Sequence, residues 1–217
     1  MVMMELSVCP LCNTPQKSPE VLFSYNKEFY SCGRCSLIYR PKTQLPSPVN
    51  ERNRYQQHHN DASDKGYQNF LQQAITPVHP YLSASSRLLD FGCGPTQGLS
   101  QLLATQGYQC HNYDPFFSSQ IPGKDYDVIF CTETFEHFHN PAQELKTLSD
   151  WLKPGGLLVV MTEFYQNNRE QFKNWWYTRD FTHVCFYHLL TFNYISQKFG
   201  FQQLYSDDTR VVVLQKL

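Results

Sequence analysis

From residue 87 onward, short apolar runs alternate with stretches whose apolar positions recur every three or four residues. Residues 88–91 read as a buried strand, and 98–104 as a helix with Leu99, Leu102 and Leu103 on one face. A second strand is predicted over 108–113 and a third over 127–131. Asn140-Pro141 opens a helix as a cap followed by a first-turn proline, with Leu145, Leu148 and Leu152 on one side. Lys153-Pro154-Gly155-Gly156 ends it, and 157–162 forms the next strand. Residues 191–199 place Phe192, Ile195 and Phe199 at helical spacing up to Gly200, before an antiparallel hairpin over 201–205 and 210–214. Strands alternating with helices predict an α/β fold, a Rossmann-like, doubly wound, mostly parallel sheet closed by that hairpin.

The pattern is different upstream. Residues 66–82 carry Phe70, Leu71, Ala74 and Ile75 at helical spacing until Pro77 and Pro80 interrupt them. Before them, Pro41, Pro46 and Pro48 introduce a polar stretch over 50–65 with His58 and His59, read as a solvated or substrate-facing segment. Residues 1–45 hold only short strand-like pieces around Val21, Phe23, Phe29 and Tyr30. The expected organisation is a small module over 1–45, a linker over 46–66 and the main domain over 67–217.

A module that small cannot bury enough apolar surface to fold unaided. Its cysteines supply the staple. Cys9-Pro10-Leu11-Cys12 and Cys32-Gly33-Arg34-Cys35 are two C-x-x-C pairs separated by 19 residues. Four thiolates at this spacing suit a structural Zn²⁺ in a zinc ribbon with no open coordination position. Such a site supplies about 10–16 kcal/mol of apparent folding free energy. A disulfide pair and four unpaired thiols are the competing readings, disfavoured because residues 1–10 carry no basic residue and do not read as a secretion signal. The other four cysteines are scattered singly.

Charge narrows the partners. Eighteen Lys and Arg against 19 Asp and Glu give a net charge of −1, without the basic surplus that phosphate backbones attract. The module itself holds five basic residues against three acidic, which four thiolates and one Zn²⁺ bring near neutrality. Nucleic acid is therefore disfavoured, and a small-molecule substrate preferred. A protein partner docking through the zinc ribbon stays open. The longest aliphatic run, 157–161, is far short of the roughly 20 residues a membrane helix needs. No membrane association is expected, and a soluble cytoplasmic protein is the default.

In a doubly wound sheet the ligand lies beyond the carboxyl ends of the strands. The first turn there reads Asp90-Phe91-Gly92-Cys93-Gly94-Pro95-Thr96-Gln97. Gly92 and Gly94 let the backbone approach a ligand, while Gln97 breaks the dinucleotide fingerprint and Asp90 would repel a pyrophosphate. These two features count against a nicotinamide-dependent oxidoreductase. Asp114, 24 residues after Asp90, ends the second strand and can accept from both ribose hydroxyls. A glycine turn flanked by two acids describes a nucleoside with a cationic amino-acid tail, S-adenosylmethionine (SAM).

Leu88-Leu89-Asp90-Phe91-Gly92-Cys93-Gly94, Asn112-Tyr113-Asp114-Pro115, the run 126–133 with Glu136-His137, and Leu152-Lys153-Pro154-Gly155-Gly156 together resemble class I SAM-dependent methyltransferases. The resemblance covers 67–217. It implies that Asp90, Gly92, Cys93 and Gly94 lie at the methionine part, that Asp114 holds the ribose, and that Thr132 and Glu133 lie along the cofactor. Phe91 and Cys93 equally suit core packing. Two departures stand out: Thr96 occupies the third glycine position, and only ten residues, 115–124, separate Asp114 from Asp125. A third strand and helix do not fit in that space, so the adenine end is expected to be either more open than usual or covered by Phe116 and Phe117.

Cys131-Thr132-Glu133-Thr134-Phe135-Glu136-His137 replaces the Asn/Asp-Pro-Pro-Tyr-type motif of enzymes that methylate base amines or glutamine amides. The Glu-x-x-Glu-His run is similar to the ubiquinone-pathway O-methyltransferases. It also resembles the small-RNA 2′-O-methyltransferases, in which the two acids and the His hold Mg²⁺ with a second His from downstream. On a helical turn Glu133, Glu136 and His137 would share one face, and His183 is the matching downstream residue. Three roles are open: a Mg²⁺ site at Glu133, Glu136, His137 and His183; a metal-free base at His183 or His137; and a structural or substrate-binding role. The aromatics Trp175, Trp176, Tyr177, Phe181, Phe186 and Tyr187 gather around His183 as a lid or as core. The expected reaction is methyl transfer to oxygen, or to carbon, of a small molecule. SAM binding without transfer is the alternative.

Overall fold

The computed structural model describes residues 7–16, 19–57, 61–121, 123–166 and 168–217; His58 and His59 lie outside them. Its centre is a six-stranded sheet. Four strands run parallel: β6 (Leu88–Phe91), β7 (Cys110–Tyr113), β8 (Tyr126–Thr132) and β9 (Leu152–Met161), in spatial order β7-β6-β8-β9. The hairpin β11 (Phe201–Ser206) and β12 (Val211–Lys216) extends the β9 edge, with β12 antiparallel to both neighbours. This is the Rossmann-like, mostly parallel sheet expected, including the terminal hairpin. The apolar runs of its central strands are buried on both faces. Helices α2 (Lys65–Ile75) and α3 (Gly98–Thr105) lie against one face, and α4 (Pro141–Trp151) and α6 (Leu189–Phe199) against the other.

Local signals set the boundaries. Asn140 accepts from the Gln143 N–H at the start of α4, and Gly200 closes α6 at φ +73°. Lys153–Gly156 do not separate helix from strand. Pairing starts at Leu152 opposite Tyr126 and resumes at Leu157 opposite Val128, so the Pro-Gly-Gly residues loop out as a bulge. After β7 the chain turns back at once through a bridge between Asp114 and Ser118. Among the described residues no strand pairs with the outer side of β7, as the short spacer requires.

The N-terminal module contains β1 (Ser7–Val8), β2 (Pro15–Gln16), β3 (Glu20–Ser24), β4 (Lys27–Ser31) and β5 (Ile38–Tyr39). Its sheet takes a fourth strand from far along the chain: β10 (Cys185–Phe186) pairs antiparallel with β5. Cys9, Leu11, Cys32, Cys35 and Leu37 share one buried core with Phe135, Tyr187 and Phe192. The predicted linker is also structured. Ser47 caps helix α1 (Pro48–Tyr55), which carries a buried Glu51. A five-residue helix, α5 (Arg169–Lys173), precedes the segment leading to β10. No helix among the described residues is long and apolar enough to cross a membrane.

Candidate active site

A cavity of about 800 Å³ opens beyond the carboxyl ends of β6, β7 and β8, within the roughly 300–1,000 Å³ typical of small-molecule sites. Asp90, Gly92, Cys93, Gly94, Asp114, Thr132, Glu133, Glu136, His137 and His183 all line it. The sheet brings the strand-end residues together because β6 pairs with both β7 and β8, which sets Asp90 beside Asn112 and Phe130.

At one end the glycine turn folds under Asp114. The Asp114 carboxylate accepts from the amides of Phe116 (2.8 Å) and Phe117 (3.2 Å) with Oδ1, and from the Gly94 amide (3.1 Å) with Oδ2. Gly92 has φ +83°, and a Cβ there would meet the Thr134 side chain at 2.4 Å. Gly92 is thus required by packing, whereas Gly94 (φ +61°) faces open space. Asp90 is buried, and its Oδ1 has no hydrogen-bond partner. Burial, with the nearby Asp114 charge, pushes its pKa up to about 7. Burial raises the Asp114 pKa as well, against the three amides. An acid held this high is one that a cation would stabilise. Burial also pushes the Cys93 thiol well up, leaving it an inert wall.

At the other end, Glu136 is wholly buried. Its carboxylate accepts from the Tyr177 hydroxyl at 2.5 Å and the Thr162 hydroxyl at 2.8 Å, and lies 3.9 Å from His137 Nε2. His137 Nδ1 lies 3.0 Å from the Thr182 carbonyl, and His183 Nδ1 lies 2.7 Å from the Tyr177 carbonyl. Each ring therefore carries its proton on Nδ1, which makes Nε2 the basic nitrogen. The two imidazoles meet edge to face at 4.8 Å.

The expected helical turn is not formed. Glu133 sits at φ +49°, and only Phe135–His137 are helical, as a 3₁₀ turn. Glu133 therefore leaves the group: Glu136, His137 and His183 bring ligand atoms within 4.8 Å of one another, without it. The four-residue Mg²⁺ site is not assembled. Glu133 Oε2 instead lies 3.2 Å from the Tyr177 hydroxyl, and its buried Oε1 has no hydrogen-bond partner. Burial, then the charge of Glu136, pushes its pKa well up.

Sequence reasoning missed several cavity residues. Helix α1 brings Glu51, Arg54 and Tyr55 over the site; the Arg54 guanidinium pairs with Asp180 at 2.8 Å, and Tyr55 meets Phe116 and His137 ring to ring. Glu51 pairs with His139 at 3.1 Å. A capped start, Ser47-Pro48 with Glu51 three residues beyond Pro48, was the available signal for this helix. The aromatic cluster divides: Trp176 is exposed at the mouth, Tyr177 bonds Glu136, and Phe186 and Tyr187 are core.

At the far side of the module, Sγ atoms of Cys9 and Cys35 lie 3.6 Å apart and those of Cys12 and Cys32 3.5 Å apart, with all four inside 4.8 Å. A tetrahedron with bonds of about 2.3 Å has edges of roughly 3.8 Å, so the donor set fits Zn²⁺. Hydrogen bonds from Cys35 and Cys9 pull the Cys32 thiol far down, while Cys9 and Cys35 are pushed up.

Strand ends, glycine turn and paired acids define a SAM-dependent methyltransferase of class I. The family described as "Methyltransferase domain" matches residues 63–206, and the chain belongs to it. The fold is shared with the Burkholderia thailandensis 1,6-didemethyltoxoflavin-N1-methyltransferase, solved with bound 1,6-didemethyltoxoflavin and S-adenosylhomocysteine. That match has TM-score 0.58 at 13% identity over 91% of this chain and 99% of that one. A SAM-dependent methyltransferase from Archaeoglobus fulgidus aligns with TM-score 0.51 at 15% identity over 69% and 94%. In sequence, the Helicobacter hepaticus tRNA U34 carboxymethyltransferase is 40% identical over 52 residues, 24% of this chain and 16% of that protein. The family membership removes the nicotinamide alternative.

Proposed function

We propose that the protein methylates an oxygen of a small molecule, with carbon the second choice of acceptor. Bound SAM supplies the electrophilic methyl and leaves as S-adenosylhomocysteine. Asp90 Oδ1 and Glu133 Oε1, both buried without a hydrogen-bond partner, face the cationic tail, and Asp114 takes the ribose. Phe116 and Phe117 line the adenine side. His137 Nε2 accepts the acceptor hydroxyl proton as oxygen attacks the methyl carbon, and the buried Glu136 carboxylate stabilises the resulting imidazolium. His183 shapes the floor beside it. The four cysteines hold a structural Zn²⁺.

The supporting observation is one cavity with cation-seeking acids at one end and a carboxylate-backed imidazole at the other. Calorimetry with SAM tests the first end. Release of S-adenosylhomocysteine across a panel of small hydroxylated compounds tests the second. His137→Ala is expected to lower turnover by about 10²–10⁴-fold with SAM affinity unchanged. Full turnover in that variant overturns the base assignment.

A further inference from the structure

Residues 7–57 lie outside the matched methyltransferase family, yet they grip the segment that carries Tyr177 and His183. The grip is concentrated at the β3–β4 turn. Tyr25 (φ 47°) and Asn26 (φ 62°) are both left-handed, the geometry of a tight two-residue hairpin, which sets Ser24 directly opposite Lys27. Both side chains leave the module. Lys27 Nζ donates to the carbonyls of Thr178 and Arg179, each at 2.7 Å. Ser24 Oγ, wholly buried, donates to the Lys173 carbonyl at 2.9 Å and lies 2.5 Å from Thr178 Oγ1. Beyond the turn, the Arg40 amide donates to the Val184 carbonyl at 2.9 Å, next to the β5–β10 pairing.

These contacts bracket one peptide unit that matters. Tyr177 precedes Thr178. Its carbonyl accepts the His183 Nδ1 proton and its hydroxyl donates to Glu136. A lysine used only to decorate a surface would keep its ammonium in water. Here the half-buried ammonium reaches two carbonyls, and burial, then Arg40, lower its pKa.

We propose that Lys27, supported by Ser24, is a positioning residue for methyl transfer: it fixes the 177–179 backbone so that Tyr177 holds His183 and Glu136 in register with the acceptor. The Cys₄ module is then the acceptor-side half of the enzyme. This rests on the methyltransferase reading above, and the test separates the two.

The test uses the full chain with ¹⁵N-labelled histidine, saturated with Zn²⁺. Lys27→Met keeps the aliphatic stem and loses both carbonyl contacts; Lys27→Arg keeps the charge and donors. The expected result is that Lys27→Met shifts the His183 Nδ1–H resonance and speeds exchange of that proton by about tenfold. Lys27→Arg restores it at least in part, and SAM affinity by calorimetry stays within about twofold of wild type. Should Lys27→Met fail to fold, Ser24→Ala reports through the same resonance, with the same direction and a smaller shift expected. An unchanged His183 signal in the folded variant overturns the proposal, as does equal perturbation by Lys27→Arg and Lys27→Met. Wild-type protein that binds no SAM defeats the methyltransferase reading instead, whatever the histidine signal shows.

Discussion

The two ends of the cavity are built in opposite ways. The cofactor end is backbone architecture: strands β6 and β7 stop side by side, and Asp114 ties the turn together through three main-chain amides. The acceptor end is assembled from side chains on α1, the 3₁₀ turn at Phe135–His137, Thr162 and the 173–188 segment, gathered through the Cys₄ module. On the function proposed above, the ligand common to the family is served by the part that topology alone creates, and the acceptor by the part that draws in an added module. The family match begins at residue 63, so α1 and the Cys₄ module lie outside it, whereas Phe135–His137, Thr162 and residues 173–188 lie inside it with the cofactor end.

The largest blow to this contrast comes from metal removal. A chelator that strips the four cysteines should lower the melting temperature by on the order of 10 °C or more, because the module shares a core with Phe135 and Phe192. The contrast sharpens if SAM still binds below that transition while the histidine environment is lost. It breaks if cofactor binding and the histidine signals vanish together at low temperature.

Asp114→Ala acts on the other end. It removes the acceptor for three amides and, on the proposed reading, the ribose contact, and should weaken SAM by about ten- to a hundredfold in calorimetry. The His137 and His183 resonances should remain in place.

Acid titration gives an intermediate effect with a defined sign. Asp90 has its folded pKa raised to about 7, so its ionised form is disfavoured by folding. Its contribution to apo stability is therefore full below the unfolded value of about 4 and lost as pH rises through 7. A cationic cofactor needs the ionised form, so SAM affinity should fall by up to tenfold per unit as pH drops below 7. Between about pH 4 and 7 the melting temperature should fall with rising pH in the apo protein and stay nearly level with saturating SAM. Asp90→Asn should remove the apo slope.

The smallest effect is expected from Arg54→Ala. The Arg54–Asp180 pair lies partly in solvent, so its loss should cost within about 1 kcal/mol by denaturant melts and leave SAM binding untouched.

The same division explains what could be read from the chain. The cofactor end is legible because Asp90, the glycine turn and Asp114 sit on contiguous motifs whose strand periodicity announces the sheet. The absent strand after β7 is equally legible, since a ten-residue spacer cannot hold it. The acceptor end is only partly so. His137 and His183 can be picked out and do converge, but the helical geometry expected for Glu133 fails: the residue is left-handed and its carboxylate lies outside the Glu136–His137–His183 group. Local spacing carries no information on such a torsion. The docking of helix α1, whose capped start was legible, and the β5–β10 pairing were hidden for another reason: both depend on contacts with residues over a hundred positions away.

The β5–β10 pair has a consequence for biosynthesis. Tyr39 and its partner Cys185 are 146 residues apart. At about 5–20 residues per second, translation leaves β5 without its outer neighbour for roughly 7–30 s. Over this interval the nascent chain exposes the β5 edge and the cysteine-side core face. On the proposal that the four cysteines hold Zn²⁺, metal capture before residue 185 is synthesised would hold the early strands together until their distant mate arrives.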